Sequence, residues 1–167
     1  AKVRNWMLDE GFQRSRRVVT MDDDVSYLAR YYKNDPGDVD GKELWGNGPP
    51  PCWYRKLTWD DLLGFLSHGY ELAEEWGAHL WGVNVQADPK FYREYTPFTV
   101  LAPVLGPFSC HVRPDAEEDR IRYDERLGLN EDYDYVLEHW QRWKRVVRIN
   151  AYFYKCGHID QPGGCAS

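Results

Sequence analysis

Val18-Val19-Thr20-Met21-Asp22-Asp23-Asp24-Val25 is the stretch from which the rest of the chain is read. A short apolar run reads as a buried strand, and three carboxylates follow it without a spacer. In an extended segment, side chains at i and i+2 share a face, so Asp22 and Asp24 can address one point in space. Two carboxylates at a strand end, with the remaining shell left to water and phosphate oxygens, suit Mg²⁺ or Mn²⁺. Open α/β sheets also bind ligands outside the carboxyl ends of their strands. The alternative is a solvated turn in which Asp24 caps a following helix. Three adjacent carboxylates repel one another unless a cation sits among them, which favours a site.

The flanks set the architecture. Val3, Trp6 and Met7 recur at helical spacing, with Gly11 as a natural stop. Val25, Leu28, Ala29 and Tyr32 repeat at i, i+3, i+4 and i+7, the pattern of an amphipathic helix. Residues 34–56 form a long loop carrying Pro36-Gly37, Gly46-Asn47-Gly48 and Pro49-Pro50-Pro51. Thr58 with Asp61 forms a capping box with Asp in place of Glu, opening a helix through Leu62, Leu63, Leu66, Tyr70 and Ala73. Leu80–Val85, Phe98–Leu105 (broken by Pro103) and Phe108–Val112 read as strands. Asn130 caps a helix with a Tyr133, Val136, Leu137 and Trp140 stripe. Val146–Phe153 is a last strand, and residues 158–167 are a loop. Interleaved helices and strands predict one α/β layered domain over residues 1–167, with a mixed sheet flanked by helices.

Composition narrows the function. The chain has 167 residues, 43% hydrophobic and 16% aromatic, enough for a packed core rather than a disordered chain. A formal net charge of −6 disfavours non-specific attachment to nucleic acid and leaves only a local basic groove. Two basic clusters, Arg14-Arg16-Arg17 and Arg142-Lys144-Arg145-Arg148, each read best as a solvated charged face. No apolar run spans a bilayer, and no signal peptide opens the chain. Cys52, Cys110, Cys156 and Cys165 read as reduced thiols of a cytoplasmic protein.

Other residues carry weaker signals. Asn130-Glu131-Asp132 sits at a helix start, where acids answer to the helix dipole or serve as a general base. Cys156-Gly157-His158 with Cys165, and the pair Cys110-His111, fit no common zinc module. Trp45, Trp53, Tyr54 and Trp59 crowd one region beside Arg55 and Lys56, where they stack on a sugar or base or simply pack a long loop. Trp76, Trp81, Trp140 and Trp143 read as core.

The order of these features resembles a glycosyltransferase of the GT-A, Rossmann-like fold. Such enzymes carry a metal-binding DxD after a strand, a glycine-containing loop, an acidic motif at a helix start and a late histidine. Here these are Asp22-Asp23-Asp24, the turn at Gly106, Asn130-Glu131-Asp132 and His158. A closer resemblance is to the TET-associated glycosyltransferases of bacteriophages, through Arg4-Asn5-Trp6, Asp22-Asp23-Asp24-Val25 and Asn130-Glu131-Asp132-Tyr133-Asp134. The resemblance implies transfer of a sugar from a UDP-sugar to a hydroxyl of 5-hydroxymethylpyrimidine in DNA, such as hydroxymethylcytosine, in a phage-infected bacterial cell. It implies Mn²⁺ or Mg²⁺ held by Asp22, Asp24 and His158, and nucleotide contacts from Arg4, Asn5 and Asp23. It also implies Asp132 as base, with Glu131 as second choice. The family's amino-terminal strand-and-helix unit precedes the Arg-Asn motif; either that nucleotide-binding segment lies outside this sequence or the domain is a minimal form. The rival readings are a metal-dependent nuclease and a non-catalytic binding domain of the same fold.

Overall fold

The computed structural model describes residues 1–43, 52–85, 95–128 and 130–157. Within them the chain runs α1 (Lys2–Arg14), β1 (Arg17–Met21), β2 (Val25–Tyr32), β3 (Gly41–Glu43), β4 (Cys52–Lys56) and α2 (Trp59–Glu75). It continues through β5 (Leu80–Val85), β6 (Phe98–Thr99), β7 (Phe108–Val112), a 3-10 turn at Glu117–Asp119, α3 (Glu131–Trp143) and β8 (Val147–Cys156). The strands form one sheet in the order β1-β7-β5-β8-β2-β4-β3, with β6 beside β8. β5 and β8 run parallel, and the other paired strands run antiparallel. The expected α/β class and mixed sheet are what the chain adopts.

Both faces of the sheet are covered. Successive residues of a strand point to opposite faces, so Leu80 and Trp81 enter different cores. Trp81, Val83, Phe108 and Cys110 pack under Phe65, Tyr70 and Ala73 of α2. Leu80, Val104 and Val146 pack under Leu8 and Phe12 of α1 and Tyr135 and Val136 of α3. β5 and β7 are therefore buried along nearly their whole length, as doubly covered strands are, with Asn84, Ser109 and His111 as buried polar residues among the apolar ones.

Two-sided burial also explains the main departure from expectation. The segment from Val25 is a strand, not a helix. Leu28 joins the α2-side core, while Ala29 and Tyr31 pack with Phe153 on the other side. Adjacent buried residues imitate the i, i+3, i+4 set of a helix, and the tyrosines and Val25 suit a strand. Residues 34–56 likewise contain the paired strands β3 and β4, with β4 extending the sheet from β2.

Smaller corrections follow from packing. β1 is an edge strand with only Thr20 fully buried. Gly11 does not stop α1; a Cβ there would come within 2.8 Å of Val18, so the glycine lets the helix lie close to β1. α1 buries Asn5, Leu8 and Phe12 and leaves Val3 and Trp6 exposed. α3 buries Tyr135, Val136 and His139 and leaves Tyr133 and Leu137 outside. Past Thr99 the expected strand reduces to a single bridge between Leu101 and Val146. Asn130 precedes α3 in a left-handed conformation (φ 65°) and makes no side-chain cap. The Thr58–Asp61 capping box is formed as expected, with Asp61 N–H donating to Thr58 Oγ1 at 3.2 Å and Thr58 N–H to Asp61 Oδ2 at 3.0 Å. No helix among the described residues is long and apolar enough to cross a membrane.

Two glycines of α2 give a paired test. A Cβ on Gly69 would overlap the ring of Trp81, which is fully buried, whereas a Cβ on Gly64 meets nothing within 4 Å. Gly69→Ala is expected to lower stability by about 1–3 kcal/mol through overpacking. Gly64→Ala is expected to raise it by up to about 1 kcal/mol through helix propensity. Urea unfolding of the two variants beside the wild type checks both signs.

Candidate functional site

The link Asp22-Asp23-Asp24 joins β1 to β2 as a turn rather than an extended segment or a helix cap. Val25 N–H donates to Asp22 O at 3.2 Å, Asp22 N–H to Pro107 O at 2.9 Å, and Gly157 N–H to Asp24 O at 3.1 Å. The turn is thus tied to the segment before β7 and to the end of β8. Asp22 and Asp24 are half-buried while Asp23 is exposed.

The cation among these carboxylates comes from the chain itself. Arg4, projecting from α1, places Nη2 3.0 Å from Asp22 Oδ2 and Nη1 3.1 Å from Asp132 Oδ1. Gly106 N–H donates to the other oxygen of Asp132 at 3.1 Å. Gly106 must lack a side chain here, because a Cβ would overlap both the Arg4 guanidinium and the Asp132 carboxylate. One arginine therefore bridges the acidic turn and the acidic start of α3, with a glycine loop closing the third side.

Burial dominates the electrostatics. It pushes the carboxyls of Asp22 and Asp132 above the usual carboxylate range, against the opposing pull of Arg4. Burial alone would lower the Arg4 guanidinium, but Asp132, Tyr123 and Asp22 together raise it. Arg4 Nη1 and Asp132 Oδ1 are close enough for an ion pair, yet neither atom makes an aligned hydrogen bond. Such buried polar atoms are costly unless a partner arrives.

A second layer holds Arg4 in place. Asn5 is buried, donating Nδ2 to Tyr123 O at 2.9 Å and to Glu125 at 3.1 Å and accepting Tyr123 N–H at 2.9 Å. Its amide is spent on pinning the Tyr123 segment to α1. The Tyr123 ring stacks on Tyr135 at 3.9 Å and lies 5.7 Å from the Arg4 guanidinium carbon. Burial takes the Tyr123 phenol up to about 12. Behind it His111 Nε2 meets Thr20 Oγ1 at 3.1 Å and Ser109 Oγ at 3.2 Å, and Nδ1 meets the Tyr135 hydroxyl at 3.2 Å. Burial, with His139 and Arg4 adding to it, lowers His111 to about 3, so the ring is neutral. Cys110 points into the opposite core, so the Cys110-His111 pair cannot share a zinc ion.

β8 supplies one residue that no local motif marked. Tyr154 is 1% exposed, and its hydroxyl has no hydrogen-bond partner. Asp132, Asp22 and Arg4 all act on its charge, after burial and Cys156. Burial, then Asp24 and Asp22, takes the Cys156 thiol to about 12. Glu131 is half-buried at the start of α3 and raises the Asp132 carboxyl. His158, Cys165 and Trp45 lie outside the described residues.

The remaining expected groups lie elsewhere. Arg16 pairs with Asp115 at 2.6 Å and Arg17 with Glu74 at 2.7 Å. Arg142 pairs with Asp119, and Arg145 donates to Trp76 O at 2.5 Å. Both basic clusters are thus largely spent on the protein's own carboxylates and carbonyls. Of the tryptophans read as core, Trp81 is fully buried and Trp76 is 42% exposed.

Among the described residues no group of three or more His, Cys, Asp or Glu side chains converges as a metal shell. Asp22 and Asp24 offer hard oxygen donors on one tight turn, which suits Mg²⁺ or Mn²⁺ only if most ligands arrive with a substrate. The chain matches no family model, and no curated protein or solved structure matches it.

The Arg4 bridge sets a pH-dependent stability. Carboxyls raised in the folded state favour folding fully below their unfolded pKa, and that contribution is lost as pH rises through the folded pKa. Removing Arg4 raises Asp22 and Asp132 further and extends the loss upward. Arg4→Met is expected to destabilise by roughly 1–3 kcal/mol at neutral pH, discounted for the exposure of Asp22, and by less near pH 5. Denaturant titrations of both proteins at the two pH values measure the difference.

Proposed function

We propose that this chain is the catalytic part of a metal-dependent glycosyltransferase that moves a sugar from a UDP-sugar to a hydroxyl, with a 5-hydroxymethylpyrimidine in DNA as acceptor. One observation carries the reading. Arg4, the Asp22–Asp24 turn, Gly106 and Asp132 are far apart in sequence and meet around a single guanidinium. These are four of the five elements through which the chain resembles that enzyme class; the fifth, His158, lies outside the described residues.

The chemistry assigns each a task. Asp22 and Asp24 would hold Mn²⁺ or Mg²⁺, which when bound neutralises charge building on the departing diphosphate. Arg4 adds a fixed positive charge beside the same oxygens and keeps Asp22 and Asp132 at a set separation. Asp132 is the base: it takes the proton of the acceptor hydroxyl as the new bond to the anomeric carbon forms and the bond to the diphosphate breaks. A carboxyl raised by burial is better suited to that step than a solvated one. The Gly106 N–H and Arg4 orient it. Tyr154, with an unpartnered buried hydroxyl, can donate to a ligand oxygen entering the cradle.

Asp22→Asn with Asp24→Asn is expected to abolish Mn²⁺-dependent UDP binding in calorimetry while the thermal transition stays cooperative. Asp132→Asn is expected to lower kcat by about 10²–10⁴, with donor affinity changed only a few-fold. Turnover is read by incubating the protein with Mn²⁺, a panel of UDP-sugars and hydroxymethylated DNA, then digesting the DNA and weighing the nucleosides. Near-normal turnover in Asp132→Asn would reassign that residue to stabilising α3. Absence of any sugar mass on the bases, with a protein or small molecule glycosylated instead, would remove the DNA acceptor.

A further inference from the structure

Arg30 of β2 and Arg55 of β4 stand directly opposite each other, and Tyr152 of β8 stands opposite Arg30 on its other side. Residues in such a cross-strand row project from the same face. Between this row and the first turns of α2 lies an open cleft of about 390 Å³, also bounded by Tyr32, Phe65 and His68. Like charges directly opposite on neighbouring strands destabilise a sheet, so the two arginines need an explanation.

Their partners within the chain are mostly aromatic. Arg30 lies 5.3 Å from the Tyr32 ring and 5.8 Å from that of Tyr152, and Arg55 lies 5.9 Å from Tyr32. Among the described residues Arg55 forms an ion pair with Asp38 alone, at 3.9 Å with both side chains exposed, and its charge also helps lower the Asp61 carboxyl after the Thr58 hydrogen bonds. Two carboxylates do stand on the rim. Asp61 is held in the Thr58 capping box, and Asp60 lies in the first turn of α2, where acids answer to the helix dipole. Neither forms an ion pair with Arg30 or Arg55 among the described residues.

We propose that this cleft holds a single-stranded stretch of nucleic acid, with its phosphates on Arg30 and Arg55 and a base against the Tyr32 ring. Paired arginines beside half-buried aromatic rings are groups that can bind a strand without reading its sequence. Guanidinium forks suit phosphate oxygens in particular. The open shape fits a strand that continues past the cleft rather than a small ligand enclosed on most sides. Arg30 is five residues along β2 from Val25, roughly 17 Å at strand rise. A strand resting there can therefore continue toward the acidic turn. The net charge of −6 makes such a local contact the available mode of binding. This inference rests on the DNA acceptor proposed above for why a strand would come, but the binding itself needs no sugar donor.

The test is fluorescence anisotropy of a labelled oligothymidylate at low salt, without Mn²⁺ or UDP-sugar. Arg30→Gln with Arg55→Gln is expected to weaken binding at least about tenfold. It should also reduce the slope of log K against log salt by about 1.4, at about 0.7 per phosphate contact on a single strand. Tyr32→Ala is expected to weaken binding too, whereas Arg126→Gln, which removes a surface partner of Asp124, should not. Mn²⁺-dependent UDP binding by the double glutamine variant should match the wild type, which also shows that it folds. Unchanged oligonucleotide affinity in that variant, no binding by the wild type, or equally strong displacement by thymidine monophosphate would each overturn the proposal. Failure of the glycosyltransferase reading has a different signature: strand binding that depends on Arg30 and Arg55, with no sugar transfer by the wild type.

Discussion

The guanidinium of Arg4 lies between two carboxylates that burial makes reluctant to ionise, and the local arrangement depends on it. Remove its charge and Asp22 and Asp132 face each other across a half-buried gap without the side-chain cation that pairs with both among the described residues. Keep it and three separate pieces of chain acquire fixed positions: the turn after β1, the loop at Gly106 and the start of α3. The surrounding residues make sense as supports for that one side chain. Asn5 ties α1 to the Tyr123 segment, Tyr123 stacks on Tyr135, and the neutral His111 joins Tyr135 to Thr20 and Ser109. A buried polar chain of this kind is stabilising only when nearly every member is satisfied.

The sheet explains why the cradle lies where it does. β8 runs ten residues through the middle, beside β5 along its length, with β6 and then β2 on its other edge. Its late residues Tyr154 and Cys156 reach the end of the sheet at which β1 finishes and β2 begins. That is the carboxyl end of the parallel pair β5 and β8, where open sheets place their ligands. The Arg30–Arg55 row lies further along β2, on the face that α2 covers.

How much of this could be read beforehand depended on the range of the interaction. The Thr58–Asp61 box was legible because both partners lie within one helical turn. β5 was legible because burial on both faces leaves a mostly apolar run, and β7 because Phe108, Cys110 and Val112 alternate with Ser109 and His111 at the period of a strand. The same two-sided burial made β2 misleading: Leu28 and Ala29 are adjacent yet serve different cores, and the result has the spacing of a helix. Val3 and Trp6 indicated the wrong side of α1 because its true inner face includes a polar residue, Asn5. The acidic turn was visible as a charge problem, but its solution was not. Nothing local connects Arg4 with Asp22 and Asp132, and only the fold brings them together. Tyr154 was hidden for the same reason, as an ordinary residue of a strand, and the partners of His111, noted only beside Cys110, come from residues distant in sequence.

Paramagnetic broadening shows directly whether a divalent cation and UDP meet beside Arg4. Mn²⁺ is added to uniformly ¹⁵N-labelled protein, with and without UDP, and the loss of amide signals is followed along the chain. With UDP present, the amides of the Asp22–Asp24 turn, Gly106 and the start of α3 are expected to broaden first and together. Much weaker broadening is expected without the nucleotide, because Asp22 and Asp24 alone would fill only part of a divalent cation's shell. Broadening spread over the acidic surface, or centred away from Arg4 and independent of UDP, would contradict a cation and UDP site beside Arg4.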